Sequence, residues 1–192
     1  MSALSTSDTA AVESSLLLTP SSTGDDVVAL ANYLYERQDS YKWLSTWSRN
    51  GWFESVLGDV CTHLSLHSLR FLARTGNDFC IRSEKYGDFS VTVLDTKKIE
   101  QAIREANMFL AYAEHSPDKL AQEIEYLTFD GWSAEAIRRE VLESVALPRP
   151  SQIDHDGDTP RYLASCVKML IEVLNAAIER NLSVIYVGSM AG

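Results

Sequence analysis

The stretch Asp88-Phe-Ser-Val-Thr-Val-Leu94 alternates apolar and small polar residues, and it lies between segments whose apolar residues recur every three to four positions. A period of two belongs to a strand with unlike faces; a period near 3.6 belongs to a helix with one apolar stripe. A chain that switches period in its interior and then switches back is confined to folds in which helices cover a small antiparallel sheet. His67 to Arg74 and Phe79 to Ser83 alternate similarly, and Phe71, Ala73, Phe79, Ile81, Phe89, Val91 and Val93 then face the helices. Thr75-Gly76-Asn77 and Lys85-Tyr86-Gly87 are turn material, because Gly and Asn accept the positive φ of short hairpin loops. The expectation is a three-stranded antiparallel β-meander that needs helices on its apolar face.

The helices are legible on both sides of it. Val27, Leu30, Ala31, Leu34 and Tyr35 recur at helical spacing behind Thr23-Gly-Asp-Asp26, whose acids suit the positive end of a first turn, so a helix is expected over about 25–38. Trp43 and Trp47 share a face of a second segment, Tyr41 to Ser48. After the break at Asn50-Gly51, Phe53, Val56, Leu57, Val60, Cys61 and Leu64 stripe a third. Beyond the sheet come Thr96 to Glu114, a helix opened by Ser116-Pro117, another capped by Ser133, and a long one over about 159–180 that stops near Asn181. Leu182-Ser-Val-Ile-Tyr-Val187 reads as a short final strand that joins the sheet.

The fold class is therefore α+β: N-terminal helices, a three-stranded antiparallel β-meander, then a helical C-terminal half with a short final strand. Residues 1–24 are Ser/Thr-rich, carry no Lys or Arg, and are expected to be a disordered or loosely docked arm. Residues 25–192 are expected to form a single α+β domain.

Charge narrows the function classes. With 17 Lys plus Arg against 27 Asp plus Glu, the chain carries a formal −10, which opposes extended contact with phosphate backbones or anionic lipid. Neither direct nucleic-acid binding nor membrane binding is expected. No apolar run approaches a membrane span, and no basic stretch precedes Leu16-Leu17-Leu18, so the sequence reads as cytoplasmic. Cys61, Cys80 and Cys166, widely spaced and without a CxxC pair, suggest reduced thiols rather than a disulfide framework or zinc site.

Catalytic patterns are sparse. Asp154-His-Asp-Gly-Asp158 resembles a calcium loop in composition, but its glycine and twelfth residue fall at the wrong positions, leaving a solvated loop ahead of a helix. His63 and His67 have the i, i+4 spacing of zinc ligands, yet no glutamate follows His63 and the pair straddles a helix end. There is no GxSxG, GxGxxG or GxxxxGK[ST]. No catalytic residue, metal or cofactor is assigned, and the balance leans away from an enzyme, with a metal-dependent hydrolase using His63, His67 or the Asp154 to Asp158 loop as one alternative.

Binding features are more pronounced. Trp43, Trp47 and Trp52, with Tyr41 beside them, form an aromatic corner of the core with a partner-facing rim, since tryptophan and tyrosine are enriched at binding hot spots. From Glu100 to Glu143 ten acids stand against four basic residues, and Glu123, Glu125, Glu135 and Glu140 are the candidate contacts for a basic partner. In the expected meander Arg70 falls opposite Arg82, and two opposed guanidinium groups call for an anion or an acidic group.

In size, acidity and the order helix, β-meander, helix over roughly residues 50 to 113, the chain resembles secretion chaperones of the type III class. That resemblance implies a second alternative, a chaperone that binds an effector segment, usually as a dimer. The leading expectation is a non-enzymatic acidic protein-binding module that inhibits or occludes a basic or nucleic-acid-handling protein, in the manner of an immunity protein or a phage or plasmid counter-defence inhibitor. Homodimerisation is compatible with either binding role.

Overall fold

The computed structural model describes residues 2–5, 18–36, 52–73, 77–124, 132–147 and 160–190. Six α-helices and four strands appear among them: β1 (Ser2–Ser5), α1 (Gly24–Glu36), α2 (Trp52–His63), β2 (Phe79–Ile81), β3 (Asp88–Leu94), α3 (Thr96–His115), α4 (Pro117–Ile124), α5 (Ala134–Ala146), α6 (Pro160–Glu179) and β4 (Leu182–Met190). The architecture is α+β, with the antiparallel sheet, the helical C-terminal half and the closing strand all present.

The sheet runs β1-β4-β3-β2, every neighbour antiparallel. β4 is the centre of this arrangement: Val184 to Met190 pair with Leu94 to Asp88 on one edge, while Leu182 to Ile185 pair with Ser5 to Ser2 on the other. The N-terminal arm thus contributes an edge strand, and Leu18 further along it is buried.

One expected strand is replaced. His67–Ala73 is a 3-10 helix, not the first strand of a meander, so β2 and β3 form a hairpin whose inner partner is β4. The physical reason is local. The Glu105 carboxylate accepts the Ser68 backbone N–H at 2.6 Å, satisfying a donor at the start of the turn, while Leu66, Leu69 and Phe71 bury themselves. In so short a stretch the two periods are hard to tell apart: Leu69 and Phe71 stand two apart, as on one face of a strand, while Leu66 and Leu69 stand three apart, as on one edge of a 3-10 helix.

Capping fixes most helix ends where the sequence places them. Thr23 and Asp26 form a capping box: the Thr23 N–H and hydroxyl donate to Asp26 Oδ2 at 2.6 and 2.8 Å, and the Asp26 N–H donates back to Thr23 Oγ1 at 3.4 Å. Asp95 accepts from the Lys98 N–H, and Ser133 from the Ala136 N–H. Proline opens α4 and α6, where the missing N–H costs nothing. Asn181, at φ 53°, ends α6 and turns the chain into β4.

The two faces of the sheet meet different layers. Leu94, Leu182, Val184 and Tyr186 point into the larger core, built by α3 and α6 against the sheet and by α2, α4 and α5 behind them. Ile99, Ala102, Ala106, Phe109 and Ala113 form the inner stripe of α3, and Leu163, Val167, Leu170 and Leu174 that of α6. Phe89, Val91, Ile81 and Ile185 point the other way, toward Val27 and Leu30 of α1 and toward Leu18. Ser90 and Thr92, expected on the side away from the helices, therefore lie beneath the larger helical layer, 0% and 4% exposed. β3 is buried on both faces, and its alternation separates two cores rather than core from solvent.

Candidate functional site

The acidic helices α3 to α5 carry three of the residues that the sequence nominates for partner contact, Glu123, Glu135 and Glu140, and their inner faces are locked in the larger core. The carboxylates of this region divide into three groups. Glu105 is inside, 7% exposed, accepting from Ser68 and from the Gln101 side chain at 3.1 Å. Its negative charge adds to burial in pushing the Cys61 thiol up to about 12, with Arg70 acting in the opposite direction.

A second group holds helices together. Asp118 pairs with Arg138 at 2.9 Å, joining α4 to α5. Arg161, at the start of α6, spans Glu140 at 3.2 Å and Glu143 at 2.6 Å on α5. Glu123 draws three helices together: its Oε1 accepts the Tyr112 hydroxyl at 2.9 Å and lies 3.3 Å from His63 Nε2. Burial, reinforced by that hydrogen bond, pushes the Tyr112 hydroxyl up to about 12. Glu100, Glu114 and Glu135 make up the third group, exposed on the outer faces of α3 and α5.

The α5–α6 junction is polar and closed. Lys168 Nζ donates to the carbonyls of Ser144 at 2.6 Å, Val145 at 2.8 Å and Leu147, placing a cation on the negative end of α5. Burial lowers the Lys168 pKa from the ordinary lysine range. Beside it the buried Ser144 hydroxyl donates to the Arg161 carbonyl at 2.9 Å and meets Ser165 Oγ at 3.1 Å.

Of the nominated partner residues, Glu123 and Glu140 are thus engaged within the molecule and Glu135 is exposed. Trp52 opens α2, while Tyr41, Trp43, Trp47 and Glu125 lie outside the described residues, as does the Asp154 to Asp158 loop. The expected cross-strand pairing of Arg70 and Arg82 does not form: Arg70 belongs to the 3-10 helix and Arg82 follows β2 on the exposed hairpin turn. With residues 67–73 helical, no strand register sets the two opposite each other, and among the described residues β2 pairs with β3 alone. His63 ends α2 and His67 begins the 3-10 helix, and His63 is directed to Glu123.

Among the described residues no group of three His, Cys, Asp or Glu side chains could hold a metal ion. No described helix is long and apolar enough to cross a membrane. Glu105 and Lys168 are polar anchors that charge pattern alone does not mark, although Glu105 falls among Ala102, Ala106 and Phe109 on the inner stripe of α3 and so carries a positional signal. Lys168 had none, because its partners are carbonyls at the end of another helix. No protein-family model, no curated protein and no solved structure matches the chain.

Proposed function

We propose that the protein is a non-enzymatic acidic protein-binding module that occludes a basic or nucleic-acid-handling partner protein, of the immunity or phage and plasmid counter-defence type. The observation that carries this reading is the disposition of the acids on α3 to α5. Glu123, Glu140, Glu143 and Asp118 rigidify the helical layer, and Glu100, Glu114 and Glu135 remain exposed on its outside. A preorganised surface of this kind needs little ordering on binding, and the formal −10 of the whole chain speeds encounter with a cationic surface. The action is steric: the module covers the partner's basic working surface without chemistry of its own.

The test is affinity capture from nuclease-treated lysate of the source cells with the full chain and with its Glu100→Lys, Glu114→Lys, Glu135→Lys variant. The expected result is one dominant basic protein, held at low salt, released at high salt and lost with the variant. A partner held equally by both chains, or held regardless of salt, contradicts the electrostatic reading and favours an apolar, chaperone-like mode.

A further inference from the structure

We draw no further inference here: the strongest candidate, the cluster of His63, Tyr112 and Glu123 at the junction of α2, α3 and α4, belongs to the site already described, and the Glu123 Oε2 that has no hydrogen-bond partner there is sealed from solvent.

Discussion

The two faces of the sheet are covered in different ways. One lies under α3 and α6, with α2, α4 and α5 behind, in a core of twenty-six buried residues among those described; the other lies under α1 and Leu18 in a cluster of seven. The larger side is tied by buried and half-buried polar anchors as well as by apolar contact. Glu105 reaches the 3-10 helix, Lys168 closes the end of α5, and Glu123 links α2, α3 and α4. The smaller side is tied by exposed groups at one end of α1. Apolar area and buried charge-assisted bonds set how much free energy an element loses on opening, so the two sides belong to different levels of local stability.

Substitutions in the two cores break or sharpen this contrast most strongly. Phe109 is fully buried in the larger core, and Phe109→Ala is expected to lower global stability by about 3–5 kcal/mol in urea unfolding. Leu30→Ala, 3% exposed in the smaller core, is expected to cost about 2 kcal/mol, mostly as easier opening of α1 with the urea midpoint of the helical layer little changed. If Leu30→Ala lowers the global midpoint as far as Phe109→Ala does, the two faces unfold as one unit and the contrast fails.

A smaller effect of opposite sign comes from between the layers. Thr92 is 4% exposed and its Oγ1 has no hydrogen-bond partner among the described residues, while neighbouring Ser90 donates to the Gly188 carbonyl at 3.3 Å. Thr92→Val keeps the shape and removes a desolvated hydroxyl, so a gain of about 1 kcal/mol is expected. A loss on thermal unfolding would show that the hydroxyl is satisfied.

The smallest effect is electrostatic. Hydrogen bonding from Tyr86, and then from Lys85 with its charge, holds the Asp25 carboxyl below its usual 3.8, and the Thr23 N–H and hydroxyl do the same for Asp26. A depressed folded pKa stabilises α1 docking above the unfolded value, and the contribution is lost as pH falls through the folded one. Asp25→Asn should therefore flatten the acid dependence of α1 opening below about pH 4, with no change in the opening of α6. Unaltered acid dependence of α1 in the variant would remove Asp25 from the fastening.

How much of this was legible in the sequence follows the range of each interaction. Caps and periods are local, so α1, α3, α4, α5, α6 and β4 stand close to where Thr23, Asp95, Pro117, Ser133, Pro160 and Asn181 put them. The 3-10 helix was not legible, because what selects it over a strand is Glu105, thirty-seven residues away. The identity of the two sheet faces was hidden for a related reason. Ser90 and Thr92 look solvent-facing until Leu182, Val184 and Tyr186 of β4, nearly a hundred residues later, bring the larger helical layer onto their side. In the candidate site Glu135 is exposed, while the engagement of Glu123 and Glu140 depends on His63, Tyr112 and Arg161 from other helices.

Native-state hydrogen exchange of the full chain, followed residue by residue as denaturant is raised through sub-denaturing concentrations, tests the difference between the two faces most directly. The predicted result is that Leu30 and its neighbours in α1 exchange through an opening of lower free energy and weaker denaturant dependence than Val167 and Leu170 in α6, the two merging only near global unfolding. Equal opening free energies and equal denaturant dependence for α1 and α6 from the outset would contradict it.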